Sequence, residues 1–500
     1  MPKRLQQADQ AVALLYHARY ATPFFSREGQ PCASIPAHVD ARRILPLRSA
    51  DFRDWLTANY YSEFESAPSS AALRTAIRTL EARAQYGDSP AQKIDRRLSF
   101  EGDPFAPSRI FLDLANADGE ILEITSHGWN ITDNLHHSFR QSVSTLPLPV
   151  PQPATSQQPP ATGSLDEFAQ LFHLTPSART RIFTWLAAAL RPIGPYPILV
   201  LRGPASSGKS TLARALRVLI DPSTAPLRRL PPRDRELLQL ALQNWVLVFD
   251  QVHRVPIKIS EALCAIASGD ALEIAQPDAR DDALMEIARP MILIAPLDEA
   301  QAPWNPPRSL ANRSLTIDLT PIAAPRPEAA VWSSFEALRA PALAVLADAV
   351  SMALQRIRDT DLGNIARFAD CAAWAAAAGP VLSLDSAGIT EEITNPDSIW
   401  IGSDPLRDTL YSLLRPNHSW SGDATSLLID LRALAPLATL PSTPKGLSQA
   451  LARIPGISVS ASKGARGQRT LSIFDATQKG EVDHGTSRIR GAQHGAELNH

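Results

Sequence analysis

The stretch that most constrains this chain is Gly203-Pro204-Ala205-Ser206-Ser207-Gly208-Lys209-Ser210-Thr211, which fits the phosphate-binding pattern G-x-x-x-x-G-K-[ST]. Its setting fits as well. Ile198-Leu199-Val200-Leu201 reads as a short buried strand, and Thr211 to Ile220 repeats apolar residues at helical spacing. A strand, a Gly-rich loop and a helix in that order let backbone N–H groups turn inward around β- and γ-phosphates, and the helix amino end adds partial positive charge. Lys209 would bring a full charge to the phosphates, and the Ser210 hydroxyl would ligate Mg²⁺. An ordinary Gly/Ser turn is the bland alternative, and it leaves the complete pattern in this setting unexplained. ATP and Mg²⁺ are therefore the expected ligands, held by Gly203 through Thr211.

The residues that follow extend the pattern. Trp245-Val246-Leu247-Val248-Phe249-Asp250 is an apolar strand ending in an acid, expected beside the phosphate loop with Asp250 on Mg²⁺, directly or through water. Next comes Gln251, whose amide cannot accept a proton as a carboxylate base would, although it can orient water. Helices are expected over 233–243 and 257–268, and a hairpin over 271–275 and 283–287 with its tip at Gln276 to Asp282. Buried strands are expected at 290–294 and 315–319. Alternating strands and helices argue for a parallel α/β sheet. Arg313, just before the last strand, stands where a neighbouring subunit's γ-phosphate could meet it; taken alone it reads as a surface ion-pair arginine. Lys209, Asp250, Gln251 and Arg313 form the expected catalytic set. Upstream, Ser164-Leu165-Asp166-Glu167 reads as a capping box, and Thr175-Pro176 as an N-cap followed by proline opening a helix that runs to about Leu190.

Composition sets the bounds. The chain has 500 residues, and that length suggests roughly three or four domains. It is 44% hydrophobic, enough for real cores, and its net charge of −2 means that any nucleic-acid surface must be local. Cys32, Cys264 and Cys371 fit neither a zinc spacing nor a disulfide framework, which points to a reducing cytoplasm. The start lacks the apolar core of a signal peptide, and the most apolar stretch, Cys371 to Leu384, is too short to span a bilayer and contains Pro380. A soluble cytoplasmic protein with no membrane partner is the expectation.

The N-terminal part, 1–145, reads as a small α+β module. Helices are expected over Gln6–Tyr20, Phe52–Tyr61 and Ala71–Ala84, with turn residues around Ser26–Gln30. A hairpin is expected where 109–114 and 120–124 flank Asn116-Ala117-Asp118-Gly119, and Trp129-Asn130-Ile131-Thr132 could add a third strand. His136 and His137 have no further ligands nearby in the sequence. Residues 146–163 are Pro/Gln/Ser/Thr-rich and read as an extended linker. The phosphate-loop core is placed at 164–325 and a helical lid at 326–400, with helices at Glu328–Ile357 and Asn364–Ala378. Trp332, Phe335 and Trp374 there read as core packing. Within 401–475, helices at 404–414, inside 420–435 and from Thr443-Pro444 precede strands at 457–460 and 470–474, the order of a winged helix. Lys445 and the basic Gly-rich wing with Lys463, Arg466 and Arg469 are the expected nucleic-acid contacts; a solvated hairpin or a protein-binding surface is the competing reading. Residues 476–500 are polar and read as a disordered tail.

From Phe52 to Phe474 the chain resembles ATP-binding proteins of phage and other mobile elements related to superfamily-three-type primase-helicases. The carrying stretches are PYPILVLRGPASSGKSTLARALRVLIDPSTAPLR, NWVLVFDQV, ISEALCAIASGDAL, LANRSLTIDL and the C-terminal WSGDATSLL and TPKGLSQALARI. The resemblance implies an α/β AAA+-like ATPase core, homo-oligomeric action on DNA, a C-terminal winged helix, and Arg313 as an arginine finger. Three positions depart from the family pattern. Gln251 stands where an Asn is usual, Ile294 where a polar sensor residue ends the next strand, and the hairpin tip carries Asp278, Asp281 and Asp282 against a single Arg280.

Two functions of different kind are expected to compete. One is a DNA-dependent, helicase-like ATPase in mobile-element replication, working with a separate primase or polymerase because no acidic primase motif is visible in 1–145. The other is a nucleotide-binding platform for DNA or a partner, with little or no hydrolysis. A small-molecule kinase ranks last, since it leaves the N-terminal module and the winged helix without a role.

Overall fold

The computed structural model describes the chain except residues 1–5, 28, 37–41, 88–90, 134–138, 152–162, 275–282, 297–305, 364, 366, 395–404, 415–418, 435–439, 442, 452–456, 464–468 and 476–500. The chain forms two compact units, 1–401 and 402–500.

The first unit opens with α1 (Gln7–His17), then an antiparallel meander of β1 (Thr22–Phe25), β2 (Pro31–Pro36) and β3 (Arg42–Pro46), then α2 (Ala50–Phe64) and α3 (Ser70–Tyr86). The three helices match the amphipathic patterns; the three strands are an addition to what the patterns announce. Ser49 and Ser69 cap α2 and α3 by accepting from the N–H of Phe52 and Ala72. Leu14, Ala33, Leu45, Phe52, Leu56, Tyr60 and Leu80 close the small core between helices and sheet.

A second antiparallel sheet follows, β4 (Leu98–Asp103), β5 (Ala106–Asp113), β6 (Glu120–Thr125) and β7 (Gly128–Asp133), in sequential order. The β5–β6 turn falls on Asn116–Gly119, where Gly119 takes φ 70° and the Asn116 side chain accepts from the Glu120 N–H at 3.0 Å. The chain beyond it is tied down as far as Leu148: Leu146 N–H donates to the Pro222 carbonyl and Leu148 N–H to the Leu114 carbonyl.

Next come α4 (Gly163–Leu171), α5 (Pro176–Ala189), β8 (Ile198–Gly203), α6 (Lys209–Ile220), β9 (Arg228–Arg229), α7 (Asp234–Gln243), β10 (Leu247–Asp250), α8 (Ile257–Ser268), the hairpin β11 (Ala271–Ile274) and β12 (Ala283–Glu286), β13 (Met291–Pro296), α9 (Arg308–Asn312) and β14 (Ser314–Asp318). The unit ends with α10 (Glu328–Arg356), α11 (Ala369–Leu382) and α12 (Ser386–Thr394). Thr175 caps α5 as expected, accepting from Ala178 N–H. The capping box at Ser164 does not form: α4 begins one residue earlier, and the buried Ser164 hydroxyl has no partner among the described residues.

Five strands make one all-parallel sheet in the order β14-β8-β13-β10-β9. Its three inner strands β8, β13 and β10 bury apolar residues on both faces, as a sheet covered by helices on each side requires. Leu199, Leu201, Val248, Ile292, Leu315 and Ile317 pack on the α5, α6 and α10 side. Ile198, Val200, Leu247, Phe249, Met291 and Leu293 pack on the α7 and α8 side. The first of these cores also takes in Ile110, Leu112, Leu122 and Ile124 of the antiparallel sheet, which lies against α10. Two hydrogen bonds fix that contact, from Trp129 Nε1 to Asp348 Oδ1 at 2.8 Å and from the Ser351 hydroxyl to the Thr125 carbonyl at 2.7 Å. The stretch Glu328–Asp359 is long and apolar enough to cross a membrane, and 61% of its apolar window is buried inside this fold. Phe335 and Trp374 are buried core residues, and the partly buried Trp332 packs on Phe335 with ring centroids 5.3 Å apart.

The second unit holds α13 (Pro405–Leu414), β15 (Ser419–Gly422), α14 (Ala424–Leu434), α15 (Pro444–Leu451), β16 (Ile457–Lys463) and β17 (Arg469–Asp475), with the strands ordered β15-β17-β16 and antiparallel. Leu410, Leu427, Leu431, Leu447, Leu451 and Ile473 form its core. Asp423 opens α14 by accepting from the N–H groups of Thr425 and Ser426, which holds its carboxyl below the usual range. Thr443 caps α15 through Gly446 N–H.

Candidate functional site

β8 is flanked on both sides in the sheet, and its carboxyl end delivers the chain into the loop 204–208 and then directly into α6. The loop needs its glycines. Gly203 takes φ 156°, and a Cβ there would stand 2.5 Å from the Leu319 carbonyl oxygen and 2.7 Å from Ser207 Oγ. Gly208 takes φ 75° and Ser206 φ 63°, so the backbone visits the left-handed region twice in three residues. The Ser207 hydroxyl closes the turn on the Pro204 carbonyl at 3.0 Å.

Lys209 is the first residue of α6. Its Nζ folds back over the loop and donates to the Pro204 carbonyl and, at 3.1 Å, to Ser207 Oγ. Partial burial lowers its pKa, and the Asp250 carboxylate acts in the opposite sense. Ser210 lies one residue on, and its hydroxyl donates to Asp250 Oδ2 at 3.1 Å. Asp250 ends β10, separated from β8 by β13 alone, so two parallel strand ends bring together side chains 40 positions apart in sequence. The other carboxylate oxygen accepts from the Gln251 N–H at 2.7 Å. Gln251 is exposed and sits at φ 58°, a conformation that costs a non-glycine residue about 1–3 kcal/mol.

Two expectations meet a different geometry. Ile294 does not end its strand: β13 runs to Pro296, which is the residue in register with Gly203, while Ile294 pairs with Leu201 and is buried. The strand end beside the loop is therefore Ala295-Pro296, which offers no polar side chain. Arg313 is not brought to Lys209 and Asp250 within one chain. It precedes Ser314, the partner of Ile198, at the opposite end of the strands from the loop, and its guanidinium is exposed and bonds Ser268 Oγ and the Ser309 carbonyl.

The segment after β14 was not announced by any motif. Leu319 N–H donates to the Arg202 carbonyl and Ile322 N–H to the Ser206 carbonyl, so this segment straps the loop on its way to α10. Arg202 and Asp318 reinforce the strap across β8 and β14 with contacts of 2.6 and 2.7 Å. The only advance signal is positional, a strand followed by Thr320-Pro321 before a long helix.

Of the expected nucleic-acid contacts, Lys445 is exposed in the first turn of α15, and Lys463 and Arg469 are backbone register partners at the ends of β16 and β17. Arg466 lies outside the described residues, as do the hairpin-tip residues Asp278, Arg280, Asp281 and Asp282 and the pair His136–His137. Cys32, Cys264 and Cys371 are buried, and none of them is in a disulfide.

Among solved structures, the chain is similar to the SCCmec type IV Cch active helicase, at 12% identity and a TM-score of 0.42, over 92% of this chain and 93% of that one. It is also similar to the NrS-1 C-terminal region, at 10% identity and 0.41, over 95% and 100%. For JCV helicase the values are 17% and 0.26, over 37% and 53%. No curated protein matches the chain. Residues 166–392, from α4 to α12, match the family model of the actinomycete integrative conjugative element replication protein, which bears out the resemblance to replication proteins of mobile elements.

Proposed function

We propose that the chain is an ATP-binding, DNA-dependent ATPase of the primase-helicase type, acting on DNA in mobile-element replication. In this reading 164–325 is an AAA+-like P-loop core, 326–400 its lid, 1–145 an accessory module and 401–475 a winged helix. The single observation that carries it is the convergence of Lys209, Ser210 and Asp250 at the carboxyl ends of β8 and β10, with Ser210 Oγ 3.1 Å from Asp250 Oδ2. The strand order β14-β8-β13-β10-β9 supports it, because it sets the loop strand at the sheet's interior with the Asp250 strand two places away, across β13. The order helix, strand, two helices, two strands in 402–500 supports the winged helix.

The residues fit the ligands. A loop in which a Cβ at Gly203 would collide with backbone leaves room only for glycine, as a close phosphate cradle demands. Lys209 now rests on neutral acceptors, a carbonyl and a hydroxyl, and exchanges them for phosphate oxygens with a gain in charge pairing. Ser210 and Asp250 would hold Mg²⁺, which supplies charge neutralisation between the phosphates. Gln251 orients water through its amide and moves no proton of its own. Arg313, exposed on the far end of the sheet, serves a neighbouring copy in a homo-oligomer. Lys445, Lys463, Arg466 and Arg469 contact DNA phosphates, and a separate primase or polymerase completes the replication machinery in the cytoplasm.

A second reading has its own support. Among the described residues, Gln251 and the non-polar strand end Ala295-Pro296 supply neither a carboxylate base after Asp250 nor a polar sensor beside the loop, as suits a nucleotide-gated platform without turnover. The deciding measurement is ATP hydrolysis with and without single-stranded DNA, against Lys209→Ala. DNA-stimulated turnover that the variant abolishes supports the ATPase. Tight ATP binding without turnover in either condition supports the platform. Equal nucleotide affinity in wild type and Lys209→Ala overturns both.

A further inference from the structure

We propose that a second phosphate-recognising site, distinct from the Gly203–Thr211 loop, lies at the carboxyl ends of β9 and β10 and holds the backbone of a single nucleic-acid strand. A cleft of about 310 Å³ opens there, with Arg229 and Leu230 on one side and Gln251, His253 and Arg254 on the other. Arg229 is the last residue of β9 and is register-paired with Asp250. Pro231, Pro232 and Pro256 stiffen the walls, since each fixes its own φ.

The charge of this cleft is uncompensated. Arg229, His253 and Arg254 are exposed, and none of their side chains makes a hydrogen bond or ion pair among the described residues. Other arginines of the same unit are paired: Arg202 with Asp318, Arg214 with Glu328, Arg97 with Asp221. Among the described residues, no carboxylate is part of the lining. Two guanidinium groups around an acid-free concavity at the carboxyl end of a parallel sheet suit a phosphate, which they can engage through paired N–H donors.

We assign this phosphate to a strand and not to a nucleotide in the loop, a distinction that the test below decides. β9 lies three places from β8 in the sheet, about 14 Å at the usual strand spacing. A strand threading an open cleft meets both arginines, and Leu230 offers an apolar surface beside them. The cleft also touches the catalytic side. Gln251 borders it, and the same residue's N–H braces the Asp250 carboxylate that faces Ser210. Strand occupancy is thereby felt at the position that orients Asp250. This coupling rests on the ATPase reading above, whereas the strand site itself does not.

The test uses the full chain without nucleotide, a fluorescein-labelled oligothymidylate and fluorescence anisotropy across a salt series. Arg229→Ala/Arg254→Ala is expected to weaken binding about tenfold or more and to flatten the log–log salt slope by about 1.4, two phosphate contacts for a single strand. Arg229→Lys/Arg254→Lys is expected to recover most of the slope, and a fluorescent ATP analogue to bind the alanine variant as it binds wild type. Three results overturn the site: no oligonucleotide binding by wild type, unchanged affinity and slope in a folded double variant, or lost nucleotide affinity with strand binding intact. The last assigns the cations to the nucleotide. A duplex affected in place of the single strand overturns the strand assignment. Failure of the ATPase reading shows separately, as nucleotide binding that ignores Lys209→Ala.

Discussion

Arg97 and Asp221 form an ion pair at 3.1 Å with side chains only 1% and 9% exposed, joining positions 124 apart in sequence. Arg97 enters β4 from the antiparallel sheet, and Asp221 is the residue that ends α6, the helix Lys209 begins. Nothing about the pair is left over. Arg97 also donates to the Asp113 and Leu146 carbonyls, and the second oxygen of Asp221 accepts from the N–H groups of Trp245 and Val246 at 3.0 Å. Arg217 lies against the same carboxylate, its pKa lowered to about 10 by burial against the pull of Asp221. One carboxylate thus ties the antiparallel sheet to the far ends of α6 and of the strand that carries Asp250.

Removing Arg97 leaves Asp221 buried without its closest cation, so Arg97→Ala is expected to cost about 3–5 kcal/mol of stability. Arg97→Met with Asp221→Asn keeps the volume and removes both charges, and is expected to restore part of that loss. Urea unfolding of the four corners of the cycle reads the coupling. A single-variant loss below about 1 kcal/mol, the scale of an ordinary surface change, would mean that water already reaches the pair.

The loop predicts its own sensitivity. Gly203→Ala places a methyl 2.5 Å from a backbone oxygen that the strap after β14 holds in place. The backbone must shift, at an expected cost of about 1–3 kcal/mol in stability. Nucleotide affinity is expected to fall by at least about tenfold, because a misplaced cradle loses several N–H contacts together. Calorimetric titration with an ATP analogue beside a thermal melt checks both; wild-type affinity in the variant would show that the loop does not close on phosphate.

Ser210 and Asp250 are expected to act as a unit toward Mg²⁺. Ser210→Ala and Asp250→Asn should each raise the Mg²⁺ concentration needed for nucleotide binding, about tenfold or more for the charged residue. The double variant should be little worse than Asp250→Asn alone, since residues that share one ligand are not additive. Strict additivity would separate them into independent roles.

Much of the region from Ile198 to Ile220 was legible because its signals are local. Glycines at fixed offsets, apolar strands and a periodic helix need no knowledge of the rest of the chain. The misses have physical causes. β1, β2 and β3 contain Pro23, Pro31, Pro36 and Pro46, and proline within a run argues against a strand. β9 consists of Arg228 and Arg229 alone, a sheet edge with no apolar signature, yet it forms one side of the basic cleft. β15, Ser-Trp-Ser-Gly, is too polar and short to stand apart from the helix after it. The register that sets Pro296, and not Ile294, beside Gly203 exists only once β13 and β8 are paired. The Arg97–Asp221 pair has no sequence signal, because its two halves meet only through tertiary packing.

Asp348 gives a pH-dependent prediction with a definite sign. Its carboxyl accepts from Trp129 Nε1 at 2.8 Å, and burial raises its pKa above the usual value, with the Trp129 bond opposing. The folded state therefore binds this proton more tightly than the unfolded chain. The stabilising contribution is complete below the unfolded value of about 3.9 and is lost as pH rises through the folded one. At neutral pH the ionised carboxylate carries a desolvation cost, which Asp348→Asn removes while leaving an oxygen for the Trp129 N–H. The Asn variant is expected to melt at or above the wild-type temperature at pH 7 and to lose that advantage near pH 4. Asp348→Ala, which abandons the indole donor, is expected to melt lower at both. If Asn proves as damaging as Ala at pH 7, the charge itself holds β7 against α10, and burial is not what governs this carboxyl.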